Sequence, residues 1–312
     1  MRGLYLVPAN INLAFISKRK IFFVFSMLLV AASVFLFLSK GLNYGIDFKG
    51  GIMLEIRTEK AANISEMRDQ LGSLGLGEVS LQEFGQPTDV LIRVQRQDGD
   101  EQAQQVAVAK VKETLGEKVE YRRTEFVGPK VSDELFTDGL TAVGLAILAI
   151  LVYIWFRFEW QFGFGAIIAL THDVITTIGI FALFGFEFNL STVAAVLTIA
   201  GYSINDTVVV FDRVRENLRK YKKMPMAEIL NNSVNQTLSR TVITSVTTLL
   251  ALLALYFLGG EVIRDFSFAM IWGVLIGTYS SICLGVPILL HLNIQRRGTL
   301  VGETIEDAPK AP

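Results

Sequence analysis

Six apolar runs dominate the chain, at residues 21–38, 140–156, 162–184, 190–211, 241–258 and 266–292, each long enough to cross a hydrocarbon core about 30 Å thick. Inside a bilayer every backbone polar group must be satisfied within its own segment, so such runs commit the chain to helices packed side by side. A purely water-soluble enzyme is thereby excluded, in keeping with 51% hydrophobic and only 19% charged residues. The first run follows Lys18, Arg19 and Lys20, as the apolar stretch of a signal peptide would. No small-residue cleavage site follows it, and it is long enough to span, so it reads as an uncleaved anchor helix.

The basic residues of the short flanking segments fix a direction. Arg2, Lys18, Arg19, Lys20, Arg157, Arg213, Arg215, Arg219, Lys220, Lys222, Lys223, Arg296 and Arg297 all fall on one side, whereas the opposite short connections carry only Arg264. The positive-inside rule then predicts cytoplasmic termini and an outer location for the long stretch after the first span. Over the whole chain 29 basic residues balance 30 acidic ones, so nothing marks a nucleic-acid partner. One cysteine, Cys283, makes neither an intrachain disulfide nor a Cys-rich metal site, and neither a metal nor a cofactor is expected. The segment after Asp212 is basic and helical in composition, suited to the anionic inner leaflet or to a partner.

Between the first two spans the pattern changes to short alternating segments of high charge. Residues 52–58, 79–84, 90–94 and 119–127 alternate as strands, and residues 64–74 and 101–115 have helical spacing. The order is βαββαβ, that of a ferredoxin-like α+β domain with two helices on one face of a four-stranded sheet. Asn63 or Ser65 and Asp98 or Asp100 are the expected helix caps, and Gly72, Gly75, Gly77, Gly85 and Gly99 the punctuation. Lacking His and Cys, with dispersed acidic residues, this domain reads as a binding or mechanical module without catalysis.

Ionisable groups inside spans are costly and mark function by default. His172 and Asp173 lie near the centre of the third span, Asn205 and Asp206 within the fourth, and Arg240 at the start of the fifth. At 100° per residue, Ser191, Thr192, Thr198, Tyr202, Asn205 and Asp206 gather within about 160° of the fourth helix. Thr237, Arg240, Thr241, Thr244, Thr247 and Thr248 gather within about 120° of the fifth. Two polar stripes can thus face each other, with Asp206 and Arg240 at similar depth as a candidate proton path. Arg240 reads equally as a flanking arginine reaching the surface, and His172 with Asp173 equally as a structural pair holding helices together.

The segments "NYGIDFKGG", "VGPKVSDEL", "THDV", "GYSINDTVVVFDRVREN" and "LSRTVITSVTTLLA", in this order, resemble the SecF subunit family of the bacterial protein-export machinery, within the RND superfamily. The resemblance implies a non-enzymatic inner-membrane subunit. It would act with SecD and the SecYEG channel, with YajC and YidC as further partners, using the proton-motive force to assist translocating unfolded polypeptides. Asp206 and Arg240 match the family's proton-transport residues, and His172 and Asp173 its recurring pair, with Asn205 beside Asp206 as a further accessory candidate. Gly45, Gly50 and Gly51 beside Asp47 read as a hinge and equally as plain turn residues. In one departure, Val131 and Ser132 follow Lys130 where the family often has Val-Gly, which questions a need for glycine flexibility there.

The expected organisation is a cytoplasmic N-terminus at 1–20 and a first span at 21–39, followed by a periplasmic domain at 41–135. Five spans within 136–292 include a basic cytoplasmic segment at 212–238, and a disordered tail occupies 293–312. Two rival readings stand beside it. An RND-type exporter of small molecules or lipids fits the superfamily, although such exporters usually carry both halves and two large outer domains in one longer chain. An intramembrane aspartyl protease using Asp173 and Asp206 lacks the Gly-x-Gly-Asp motif, and Arg240 would hold Asp206 ionised.

Overall fold

The computed structural model describes residues 8, 11–99, 101–116, 119–260, 263–292 and 294. Among them six helices are long and apolar enough to cross a membrane. The first, α1 (Arg19–Lys40), leads into a short strand β1 (Asn43–Tyr44) and a single helical turn α2 (Ile46–Lys49). A small α+β domain follows as β2 (Gly51–Thr58), α3 (Ile64–Gly72), β3 (Val79–Phe84), β4 (Gln86–Val94), α4 (Glu101–Leu115) and β5 (Val119–Val127). The membrane part resumes with α5 (Pro129–Arg157), α6 (Trp160–Phe184), a second short strand β6 (Glu187–Phe188), α7 (Leu190–Lys220), α8 (Met226–Leu258) and α9 (Arg264–Ser280). The sixth span continues from α9 through a π-helical turn, Ser281–Gly285, as far as His291. Pro287 lies just beyond that turn; its ring conflicts with the carbonyl four residues back, which accounts for the irregular winding there.

The βαββαβ order is present, and the sheet runs β3-β4-β2-β5 with every neighbouring pair antiparallel. Alternation decides its faces: Ile52, Leu54 and Ile56 of β2 and Val90, Ile92 and Val94 of β4 point under the helices, against Met67 and Leu71 of α3 and Ala107 and Val111 of α4. Asn63 caps α3 by accepting from the Glu66 backbone N–H at 3.3 Å. Asp100, one of the two caps expected for α4, lies outside the described residues, and Gly72 ends α3. The opposite face of the sheet looks onto the membrane part, where Met53 and Leu91 pack on Ile46 of α2.

The helices overrun the apolar runs that identify them. α5 starts at Pro129, directly after β5; α7 continues through its basic end to Lys220; α8 begins at Met226, well before its apolar part. The basic stretch after Asp212 is therefore largely the end of α7, with only residues 221–225 breaking it from α8. Most residues expected to form the tail, 293–312, lie outside the described residues. α9 is the most enclosed span and crosses α7 closely: a Cβ on Gly273 would sit 2.2 Å from Ile199 Cγ1, and one on Gly277 3.1 Å from Ser203 Cβ. Gly201 does not share this role, since it faces outward with nothing within 4 Å.

Candidate functional site

At mid-membrane, α6, α7 and α9 meet on one carboxyl group. Asp173 is wholly buried; its Oδ2 accepts from Ser203 Oγ of α7 at 2.6 Å and from Ser280 Oγ of α9 at 2.7 Å, and its Oδ1 meets His172 Nδ1 at 3.0 Å. The neighbouring layer continues the polar network: Thr207 Oγ1 and Ser281 Oγ are 2.7 Å apart, and Ser281 donates to the Ser203 carbonyl. His172 packs against Tyr279, whose hydroxyl reaches Ser26 Oγ and the Phe22 carbonyl of α1, each at 3.0 Å. One chain of contacts thus ties four helices together. His172 Nε2 is buried without a hydrogen-bond partner among the described residues, and His172 lines an apolar groove of about 660 Å³ beside α1.

Asp206 lies one turn further along α7 and is only 3% exposed. A hydrogen bond links it to Thr278 of α9, whose hydroxyl is 2.7 Å from Ser245 Oγ of α8. Among the described residues its Oδ2 is buried with no hydrogen-bond partner, as are Tyr202 Oη one turn earlier on α7 and Thr241 Oγ1 on α8. Counting from the ends nearest the sheet domain, Asp206 is about 24 Å along α7 and Arg240 about 27 Å along α8, so the two are level. The charge of Arg240 acts on Asp206 without an ion pair forming between them, and Arg240 is exposed. The direct pairing expected from the two stripes is therefore not made in this structure. The stripes are split between inside and outside: Ser191, Thr198 and Asn205 of α7 and Arg240 and Thr247 of α8 are exposed, whereas Thr192, Asp206, Thr237 and Thr241 are buried.

The glycine-rich entry to the outer domain is tightly built. β1 pairs with β6 in parallel, joining the end of α1 to the α6–α7 connection. Asp47 Oδ2 accepts the Leu190 backbone N–H at 2.9 Å, satisfying one of the free donors at the start of α7, where Asn189 and Thr192 form a capping box. A Cβ on Gly45 would meet Glu187 Oε1 at 2.4 Å. Gly51 has φ +121°, and a Cβ there would lie 2.6 Å from the Val94 carbonyl. Gly50, at φ +69°, packs beside Ser132, which is wholly buried in the first turn of α5. The serine that departs from the family pattern is thus part of the packed junction. Arg93 of β4 makes an ion pair with Glu187 across it.

Sequence reasoning found Asp173 but not Ser203 and Ser280, and found Asp206 but not Thr278 and Ser245. Residues 107–295 match the family described as protein export membrane protein SecD/SecF, C-terminal, and residues 35–62 match the SecD/SecF GG motif. The protein translocase subunit SecF of Rickettsia rickettsii is 48% identical over 288 residues, covering 92% of this chain and 94% of that protein.

The chain belongs to the SecF family.

As in that family, it is a multi-pass membrane protein. A crystal structure of SecDF from Thermus thermophilus, described as a translocon-associated membrane protein, is similar with a TM-score of 0.83 and 36% identity over 93% of this chain. A second SecDF structure, in a super-membrane-facing form, is similar with a TM-score of 0.64 at 35% identity and the same coverage. The chain spans 39% of the length of those SecDF chains. The SecF relationship thus covers both parts of this molecule, the glycine-rich junction and the helices that carry Asp206 and Arg240.

Proposed function

We propose that the chain is a protein translocase subunit that works with SecD, converting inward proton movement into help for polypeptides leaving through the SecYEG channel. In this reading it lies in the bacterial inner membrane with cytoplasmic termini and a periplasmic sheet domain, and it performs no chemistry on its client. The observation that carries the reading is the incomplete site at Asp206: a buried carboxyl with one bare oxygen, level with an outward-facing arginine inside a membrane span. Exposing such groups to lipid is costly, so a partner's helices cover this face and complete the site. SecD, the other half in the similar SecDF structures, is that partner.

Asp206 then alternates between an ionised state held by Arg240 and a protonated one. Neutralising the carboxyl removes what offsets the arginine, and α7 and α8 repack. Each proton crossing the membrane supplies about 2.3 kcal/mol per 100 mV, enough to bias a two-state equilibrium more than tenfold. Repacking reaches the outer domain through the start of α7, where Asp47, Gly45 and Glu187 join the two parts. His172 and Asn205 are accessory here, and Asp173 is the fixed point against which α7 moves.

The decisive experiment uses membrane vesicles that assemble the chain with SecD and the channel. Asp206→Asn should insert normally and abolish the stimulation of export by an imposed proton gradient, and Arg240→Met should do the same. Full stimulation in the Asn variant would remove Asp206 from the mechanism and leave the face as a simple packing surface.

A further inference from the structure

The end of the bundle away from the sheet domain carries a second unassigned feature. α5 leaves β5 at Pro129 and rises about 43 Å to Arg157, and α7 rises about 46 Å from its junction with Asp47 to Lys220, so both helices end at the opposite membrane boundary. The depth is marked independently by Trp155, Phe156 and Trp160 around the α5–α6 turn, which are 74%, 91% and 63% exposed. Exposed tryptophans at the end of a span belong at headgroup level.

Between these helix ends lies a crevice of about 620 Å³ lined by Arg157, Arg215, Arg219 and Lys220 together with Asp212 and Glu216. The carboxylates are already engaged. Asp212 accepts Arg157 at 2.5 Å and faces Arg215 at 3.8 Å, and Glu216 accepts from Arg213, outside the crevice, at 2.8 Å. Arg219 and Lys220 have no carboxylate partner among the described residues. The other two guanidinium groups are held in place: Arg157 and Arg215 lie 5.0 and 5.4 Å from the ring centre of Phe158, a buried side chain wedged against Phe162 and Phe211. Arg215 also donates to the Arg157 carbonyl at 3.3 Å, closing the α5–α6 turn onto α7. The crevice thus has a rigid cationic wall and, at its rim, two cations without a carboxylate partner among the described residues, Lys220 lying 5.2 Å from the ring centre of Tyr221.

We propose that this crevice binds the phosphate of an anionic phospholipid headgroup, with the acyl chains lying along the exposed aromatic surface of the α5–α6 turn. Two features select lipid over a dissolved anion. The site opens at headgroup depth, and the surface next to it is apolar and aromatic, which a free phosphate has no means to use. The proposal is independent of the proton site and of which membrane face the crevice occupies.

The test is native mass spectrometry of the full chain extracted from vesicles of phosphatidylcholine doped with phosphatidylglycerol. Phosphatidylglycerol should be retained in preference to phosphatidylcholine, and Arg219→Gln with Lys220→Gln should lower its retention roughly tenfold. Lys18→Gln with Lys20→Gln removes the same charge outside the crevice and should leave retention unchanged. Inorganic phosphate at millimolar concentration should not displace the lipid. Equal loss in both double variants, no preference for the anionic lipid, or ready displacement by inorganic phosphate would each overturn the assignment.

Discussion

Asp173 and Asp206 are both almost wholly buried in the membrane part, yet Asp173 has both carboxyl oxygens occupied by partners from three helices, whereas Asp206 keeps one oxygen bare. A buried carboxyl with all its acceptors used holds a structure in one arrangement, because any movement leaves serine and histidine donors unpaired. A carboxyl with an unused oxygen, a single threonine partner and a cation nearby but not in contact is held much less firmly. The first is the kind of group that fixes a helix crossing, and the second the kind that changes partners. Burial alone does not separate the two roles; the accounting of donors does.

The largest effect expected from this contrast is on Asp173. Asp173→Ala strips the shared acceptor from Ser203, Ser280 and His172 at once and should destabilise the membrane part by about 3–5 kcal/mol. Denaturant unfolding of the purified chain, followed by helix content and protease resistance, measures it. If the variant is as stable as the parent, the network does not hold the helices and the contrast fails.

Next come the serines. Ser203→Ala and Ser280→Ala each remove one hydrogen bond to the same oxygen and should each cost about 0.5–2 kcal/mol. Because both act on Asp173 Oδ2, the double variant should depart from additivity by more than about 0.5 kcal/mol. Strict additivity would mean that the two hydroxyls serve separate packing contacts.

A third carboxyl, outside the membrane, sharpens the comparison. Asp89 in the sheet domain is held directly by Arg57, at 2.6 and 2.7 Å, with Arg122 at 3.6 Å. The hydrogen-bonded Arg57 guanidinium keeps its carboxyl below the ordinary aspartate range. A folded value below the unfolded one means that the stabilisation is complete above about pH 4 and is lost as pH falls through the folded value. The pair is partly exposed, so Asp89→Asn should cost about 1 kcal/mol at neutral pH and reduce the loss of stability seen on acidification. A steeper acid loss in the variant would show that Asp89 is not the group responsible.

How far the sequence reaches differs between these parts. The six spans are legible because run length against bilayer thickness is a strong signal, and the sheet domain because β2 alternates so that Ile52, Leu54 and Ile56 share a face. The true ends of α5, α7 and α8 were not, since hydropathy sees only the part in lipid, while Arg, Lys, Glu, Leu and Gln continue a helix well into water. Asp173 stands out in an apolar run, but Ser280 is 107 residues away and one serine among several, so nothing local marks it as a ligand. The Asp206 and Arg240 stripes were readable as faces, but which way each face points is set by packing. Both turn outward at Asn205 and Arg240, and helical periodicity carries no information about the absent neighbour. The π-helical turn had a signal in Pro287 that hydropathy passes over.

The smallest change in stability is expected where the proposed functional change is greatest. Asp206→Asn keeps the size of the side chain and an acceptor for Thr278, and it alters an oxygen that has no partner to lose. Its effect on unfolding should stay within about 0.5 kcal/mol, the range of substitutions that break no contact. Asp173→Asn is the matched control, because an amide there turns a donor toward serine or histidine hydrogens that need an acceptor, and it should be clearly destabilising. The same chemical change at two buried positions one helix apart then separates a holding group from a working one. The pair of measurements that would dissolve the distinction is equal destabilisation at both sites. In that event Asp206 contributes to packing through contacts its bare oxygen does not reveal, and the proposal that it carries protons loses its structural support.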